Sequence, residues 1–475
     1  MMLIDKILDI ETEELLNFRF SKYNFLIWPF IRKDVIERIY YKQTNSSIPM
    51  ATSEKSNIFN KFLYINNLIK YNPFRYNDFP IVFTSTQRVV NVKRDGKFFN
   101  RAIDYLALEY PNISLILELS ERKILRHPRY FNNIAYEDCI YLKSYLKKIF
   151  SKFTKQDEVN INNCIEYINS KFNLYLDKED TYYIRKKLKK HVILYPFIYK
   201  YYRELFKKLK PSIVISVGRG IKRIYIIKAA KDIGIKVAEV QHGIITKAHQ
   251  LYNYSDVVGN NKEFKTYLPD YMLTFGEFWN NNMRDPTKKV IIGYPHFTEM
   301  VKRFADIQHR NMKEKYILFV SQGTLTKVFV ELAKDLVKKI SKNGYKILFR
   351  LHPGEVPFEE RYKELYCFDN IEVDKNGDIY ELIYKCDCIV ACYSTTIYEA
   401  LAFKKPIFII DNQWSREYIP KEIGNWFKTS DELYRLIIST GQHEVKISKN
   451  INYFWDSNWQ KNYRNFIEKE LCIKQ

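Results

Sequence analysis

Residues 388–400 read Cys-Ile-Val-Ala-Cys-Tyr-Ser-Thr-Thr-Ile-Tyr-Glu-Ala. The opening apolar run, Cys388–Ala391, has the length of a strand buried on both faces. Ser394, Thr395 and Thr396 interrupt it with hydroxyls, and a helix is predicted over Thr395–Phe403. A strand that passes through a polar turn into a helix is half of a βαβ unit. The same grammar recurs on both sides. Strands are predicted at Ile317–Val320, Lys346–Leu351 and Ile407–Ile410, with helices at Leu325–Ser341 and Ile379–Lys385. An earlier series has strands at Ile81–Ser85, Ile113–Leu119, Ile213–Val217, Val237–Val240, Met272–Phe275 and Val290–Ile292. Its helices are Tyr182–Leu209 and Ile221–Asp232. Short buried strands alternating with helices predict an α/β fold with two Rossmann-like domains facing a cleft.

The expected organisation is an N-terminal helical and aromatic segment over 1–75, a first Rossmann-like domain over 76–300, a second over 301–450, and a C-terminal helix over 451–475. That last helix is expected to pack back across the domains. The charged segment Phe297–Lys315 reads as the linker. Thr44–Asn57 reads as a polar loop. Phe25–Ile31 is an aromatic run with two readings, an interfacial anchor or packing onto the first domain.

The chain has 475 residues, 46% of them apolar, enough for large cores. Glycine is scarce, 14 in all, and Gly96 is the only one before Gly218. Scarce glycine should survive where backbone needs positive φ or close approach to a ligand, so the later glycines mark where a site should lie. Seven cysteines and an acidic, apolar start without a signal-like run predict free thiols in a reducing cytoplasm. Cys388 and Cys392 read as core packing rather than metal ligands. No stretch of 18 apolar residues exists to span a bilayer.

The net charge is +22, and Tyr141–Ala230 carries 21 Lys+Arg against 7 Asp+Glu, interleaved with tyrosines. Three readings compete: a solvated helix face, a surface for anionic lipid or a lipid-linked anionic acceptor, and nucleic acid. No nucleic-acid motif accompanies the charge, so nucleic acid is not expected as a partner.

Four stretches carry chemistry. Val237–Gly243 ends a strand at Gln241 and His242. A histidine there suits a general base or an anion donor, or it simply caps the strand. Phe319–Thr324 delivers Gly323 and Thr324 to a helix start that suits phosphate. Phe349–Glu355 presents His352, Pro353 and Gly354. Arg350 lies two residues back on the same side of the strand, as added charge or as a structural ion pair. Glu355 is a candidate acceptor for a ribose hydroxyl. In the fourth, Ser394–Thr396 open a helix, with Glu399 one turn inside to reach a sugar or to cap the helix start.

In their order these pieces resemble the bacterial GT-B glycosyltransferases of surface polysaccharide synthesis. These include CDP-glycerol glycerophosphotransferases and the His-Pro-motif sialyl- and Kdo-transferases that use CMP-sugars. The resemblance rests on Gln241-His242-Gly243, Gly293-Tyr294-Pro295, Leu351-His352-Pro353-Gly354, and Ser394–Thr396 followed by Tyr398-Glu399-Ala400-Leu401. It implies that the first domain holds the acceptor and the second the nucleotide donor. His352 and Ser394–Thr396 become donor-phosphate ligands, and His242 a base or phosphate contact. Asp95 and Asp104 are the next candidates for the base. The glycerophosphotransferase motif reads Trp-His-Gly-Thr, whereas Gln241 and Ile244 stand here, which favours a sugar donor. No metal or other cofactor is expected. The leaving group's charge would be met by helix starts, His352, and Arg350 or Lys327. The expected enzyme is a metal-independent glycosyltransferase. It would move a sugar from a nucleotide-sugar donor, CMP-linked by preference, to a lipid-linked or polysaccharide acceptor. It would sit in the cytoplasm, peripheral to an anionic membrane surface. The alternatives are a CDP-polyol phosphotransferase, a UDP-sugar transferase or epimerase, and a non-enzymatic binder of anionic polymer.

Overall fold

The computed structural model describes residues 3–21, 23–43, 58–90, 92–120, 123–150, 153–171, 176–305, 314–439 and 450–471. The first sheet has seven parallel strands. Across it they run Ile134–Tyr136, Ser114–Leu119, Ile81–Thr86, Ile213–Val217, Lys236–Val240, Tyr271–Thr274, Lys288–Ile291. The chain starts in the middle at Ile81–Thr86 and builds one side. The 32-residue helix Lys178–Leu209 then carries it back to build the other. Strand order therefore reverses between Ile81–Thr86 and Ile213–Val217. The second sheet has six parallel strands: Ile371–Asp374, Tyr345–Arg350, Lys315–Val320, Cys388–Ala391, Ile407–Ile410, Asn425–Phe427. Its order reverses between Lys315–Val320 and Cys388–Ala391. Such switch points leave a crevice at the carboxyl ends of the strands. The two sheets form the expected pair of Rossmann-like units facing a cleft.

Each central strand is mainly apolar and buried along nearly its whole length, which is what parallel sheets covered on both faces require. The strands absent from the sequence reading are Ile134–Tyr136, Ile371–Asp374 and Asn425–Phe427, together with the small hairpin Val92–Arg94/Lys97–Phe99. The first three are sheet edges of three or four residues, too short to leave a hydrophobic signature.

One expectation about segments changes, and one open choice closes. The expected linker Phe297–Lys315 begins inside helix Pro295–Ala305 and ends at the first residue of strand Lys315–Val320, and 306–313 lie outside the described residues. The aromatic run Phe25–Ile31 is packed inside: Leu26, Ile27, Trp28, Phe30 and Ile31 are each buried, which leaves packing as its role. The loop expected at Thr44–Asn57 lies outside the described residues. Cys386, Cys388 and Cys392 are free thiols in the core.

The tail runs back over the first unit. Trp279 Nε1 donates to the Phe454 carbonyl at 2.7 Å, and Trp455 Nε1 donates to the Tyr398 carbonyl at 3.0 Å. Helix Trp459–Glu470 then buries Trp459, Tyr463, Phe466 and Ile467 in the core under the first sheet. Gly293 makes this crossing possible. Its φ is +84°, and a Cβ there would stand 2.2 Å from the Asp456 carbonyl oxygen. This glycine of the resemblance motif serves the tail rather than a ligand.

Candidate active site

A cleft of about 840 Å³ opens between the carboxyl ends of the two sheets. From the first unit it is lined by Lys93, Arg101, His242, Gly243, His249 and His296. From the second it is lined by Gln322, Arg350, His352, Pro353, Ser394, Thr395, Thr396 and Glu399. Four of the chain's eight histidines thus meet in one cavity.

The second wall is pinned. Strand Tyr345–Arg350 ends in a turn in which Gly354 N–H donates to His352 Nδ1 at 3.1 Å. The neutral His352 ring therefore carries its proton on Nε2, free to donate to an anion. Burial between the cleft walls, helped by Arg88, Arg101 and Arg350, pushes His352 below its ordinary value against the pull of Glu355. Ser394 caps helix Thr395–Ala402. Its Oγ accepts from Thr396 N–H at 3.2 Å and donates to Thr396 Oγ1 at 3.1 Å. No acidic residue occupies that helix's first turn, so its positive end faces the cleft uncompensated. Glu399 lines the cleft while 7% exposed, and Tyr380 Oη donates to its Oε1 at 3.2 Å. Burial pushes its carboxyl up to about 7, opposed by Arg101 and the Tyr380 hydroxyl. It can therefore give or take a proton near neutrality.

The first wall is looser. His242 reaches the cleft from the end of strand Lys236–Val240. Its ring lies against Gly218, where φ is +74° and a Cβ would stand 3.1 Å from the ring. Burial, then Arg101, Arg88 and Lys33, push His242 down to about 4. His249 and His296 are held at about 3, in each case first by burial. These rings are neutral at pH 7, so each can take a proton when a ligand brings negative charge. Arg101 projects among Tyr294, Tyr380, Glu399 and Asp378, whose combined negative potential raises its value. Among the described residues neither Arg101 nor His242 forms a side-chain hydrogen bond, so both are available to a ligand.

Several expected site residues lie elsewhere. Asp95 is the exposed tip of the hairpin, at φ +49° followed by Gly96 at +73°, which is a type I′ turn and not a base in the cleft. Asp104 is fully buried in a triad. Arg129 Nη2 lies 2.9 Å from Asp104 and 2.8 Å from Glu118, and burial holds the Asp104 carboxyl up at about 6. Glu355 does not line the cleft. Its carboxylate accepts from Ser321 Oγ at 2.5 Å, from His352 N–H at 3.2 Å and from the Tyr362 hydroxyl, so it holds the His352 turn in place. Gly323 and Thr324 form a 3-10 turn off the cleft, with Thr324 Oγ1 bonded to Tyr393 Oη at 2.5 Å. Gln322 is the residue of that turn that reaches the cavity. Arg350 does line the cleft, but its guanidinium is ion-paired to Asp374 on the neighbouring strand.

Arg101, His249 and His296 were missed. His296 follows Gly293-Tyr294-Pro295 directly, so that motif was the available signal. Nothing local marks Arg101.

Residues 287–463 match the sequence model of the CDP-glycerol:poly(glycerophosphate) glycerophosphotransferase family. The match spans a little over a third of the chain. It takes in His296, His352, Ser394–Thr396 and Glu399, and leaves out His242 and Arg101. No curated protein matches the chain. Many solved structures align with it at low identity, among them the following three. The Staphylococcus aureus MnaA–UDP complex has 13% identity, covers 84% of this chain and 98% of that one, with a TM-score of 0.49. UDP-GlcNAc 2-epimerase of Methanocaldococcus jannaschii has 13% identity, 82% and 99% coverage, and a TM-score of 0.45. The wall teichoic acid polymerase TagF has 14% identity, 88% and 99% coverage, and a TM-score of 0.45. Likeness at this distance carries nothing about substrate.

Proposed function

We propose that the chain is a transferase that draws a phosphate-linked group from a cytidine-nucleotide donor, with a CDP-polyol as the first candidate donor. One observation carries this reading: the glycerophosphotransferase match falls on the wall that gathers His352, the Ser394–Thr396 helix start and Glu399 around one cleft. The acceptor hydroxyl would attack the β-phosphorus, the bond to CMP would break, and CMP would leave as the anion. His352 Nε2 and the helix start are suited to the departing phosphate. His242, unprotonated and unengaged, is suited to the hydroxyl proton once the donor's charge has raised its basicity. Arg101 offers a guanidinium to the phosphates from the opposite wall. The CMP-sugar donor favoured by Gln241 and Ile244 takes second place, because the matched family is named for a CDP-linked donor. The acceptor would be a lipid-linked or polymeric chain, and no step here calls for a metal.

Membrane contact belongs to the same proposal. No helix among the described residues is long and apolar enough to cross a membrane. Leu146 and Phe150 stand 76% and 74% exposed beside Lys143, Lys147 and Lys148, and Lys190 lies 5.5 Å from the Tyr145 ring. Apolar side chains ringed by lysines suit an anionic bilayer surface.

A thermal-shift series with CMP, CDP, UDP and GDP, followed by product analysis with CDP-glycerol and a CMP-sugar, tests the reading. A ligand at ~100 times its dissociation constant adds roughly 2.7 kcal/mol. Stabilisation by CDP or CMP, with CMP released from the donor, is expected. Absence of a shift with every nucleotide would sink the transferase reading.

A further inference from the structure

A second cavity of about 510 Å³ lies wholly within the first unit and its N-terminal helix. It opens at the point where strand order reverses, between Thr86 at the end of one central strand and Val217 at the end of the next. Pro29, Phe30 and Lys33 of helix Trp28–Gln43 roof it, and Tyr183 and Lys187 of the long helix close one side. It adjoins the donor cleft: Gly218 touches the His242 ring there, while Arg219 and Gly220 line this cavity.

Six cationic side chains line it, against Asp34 and Glu37. Three of the six are already satisfied. Arg32 pairs with Glu11 at 2.6 Å, Lys187 with Asp34 at 2.5 Å, and Arg219 with Glu239 and Asp285. The remaining three are under-used. Lys33 has only Glu37, at 3.6 Å. Lys222 forms no ion pair among the described residues and lies 5.3 Å from the Tyr141 ring. Arg223 is 3% exposed. Its Nη1 lies 3.3 Å from Glu137, and its Nη2 is buried without any partner.

The 11-residue helix Ile221–Lys231 begins at this cavity. Gly220 supplies no side-chain cap, and its first turn holds Lys222 and Arg223 with no acid. Cations beside a helix's positive end repel it, and a buried guanidinium nitrogen without an acceptor costs free energy. An anion seated there would relieve both at once. Leu119, Ile224, Leu251 and Phe264 add apolar lining.

We propose that this cavity is a phosphate-ester site for the acceptor, separate from the donor cleft, with Lys222, Arg223 and the amides opening helix Ile221–Lys231 holding the phosphate. The inference rests on the transferase reading for the word acceptor, but not for the anion. The apolar lining would take the carbon body of the ester, and Tyr141, beside Lys222, shares helix Asp138–Lys147 with the exposed Leu146.

Isothermal titration of the full chain, held in saturating CDP, tests this with sn-glycerol 3-phosphate and with soluble dihexanoyl-phosphatidylglycerol. The first stands for a free phosphate ester and the second for a lipid-borne one, and the tighter of the two names the source. Binding is expected in the presence of CDP and undiminished in His352→Ala. It should weaken about tenfold in Lys222→Gln, the worth of one charge-assisted hydrogen bond. Arg223→Lys keeps the charge and removes the fork, and should weaken it comparably. Lys222 is exposed, so its variant carries the test should Arg223→Lys fold poorly. Competition by CDP, loss in His352→Ala, no binding of either ester, or unchanged binding in Lys222→Gln overturns the proposal. CDP binding read on the same samples judges the transferase reading separately.

Discussion

The two walls of the cleft are built on different principles. On the second wall the side chains are held by their neighbours: His352 by Gly354 N–H, its turn by Glu355, Ser394 by Thr396, and Arg350 by Asp374. On the first wall Arg101 and His242 are unheld, and the rings there are kept neutral by burial and nearby cations. The pinned wall suits placing one fixed group with little reorganisation. The unpinned wall suits a site that charges only when its ligand arrives. A single fold presents both, because one wall is made at strand-to-helix turns whose polar groups bond one another, and the other brings Arg101 and His242 to the cleft without such partners.

The largest test of this contrast is His242→Ala. It should lower turnover ~10²–10⁴-fold, the range for loss of a general base, while CDP affinity measured by titration at pH 8, where the ring is unprotonated with or without nucleotide, stays unchanged. Near-full turnover would remove His242 as the base. Asp104→Asn should instead act on folding. Breaking a buried ion pair costs about 3–5 kcal/mol, read as a lower urea midpoint, with CDP binding intact at low temperature. A selective loss of turnover in a fully stable variant would return Asp104 to the list of catalytic candidates. Arg101→Met should weaken the donor's hold and lower kcat/KM by ~10²-fold, with the urea midpoint unmoved. If instead the protein lost stability and kept its kcat/KM, Arg101 would be a structural residue and the contrast would fail.

The pH response is smaller and more discriminating. His242 and His296 fold at about 4 and about 3, below their ordinary 6.5. Between those values and 6.5 the unfolded chain binds protons that the folded chain does not. These rings should therefore lower stability without ligand as pH drops below about 6.5, while the raised carboxyls of Glu399 and Asp104 act in the opposite sense, so the rings' share is read as the pH-dependent difference between the protein and its His242→Ala/His296→Ala variant. A bound pyrophosphate reverses the local field and raises both rings, so nucleotide affinity should strengthen on acidification from pH 8 to 6. Titration at pH 7 in two buffers of different ionisation enthalpy should show proton uptake on binding, and zero uptake would break the account of the unpinned wall. The smallest effect is expected for Asp95→Asn, within about 0.5 kcal/mol on stability and with no change in turnover, as for a surface residue in a left-handed turn that asparagine tolerates. A measurable kinetic defect would mean that the hairpin tip reaches the reaction.

The site was legible where chemistry is local. His352, Ser394–Thr396 and His242 each follow an apolar run, and a strand end at a switch point leaves little choice of where they face. Glu355 was legible as important but not in its role. Its neighbours on the chain are His352 and Gly354, yet Ser321 and Tyr362, from other segments, decide that it holds a turn. Asp104 looked like a candidate base because its partner Arg129 lies 25 residues away. Arg101 was invisible because it stands free only through the position of its loop against the second unit. Gly293 was read as part of the motif, while its necessity comes from the Asp456 carbonyl pressed against it.

The sequence by itself determined the alternation of buried strands and helices, hence both parallel sheets, and the residues at their central carboxyl ends. Those follow from short-range patterns: burial on two faces, turn residues and caps. Only the tertiary structure decided which charges are spent on one another and which are left for a ligand. Arg350, Arg129 and Arg219 are engaged by acids from other strands or loops, whereas Arg101, Lys222 and one nitrogen of Arg223 are not. Ion pairing depends on distances between segments remote in the chain, and composition records only the total of +22.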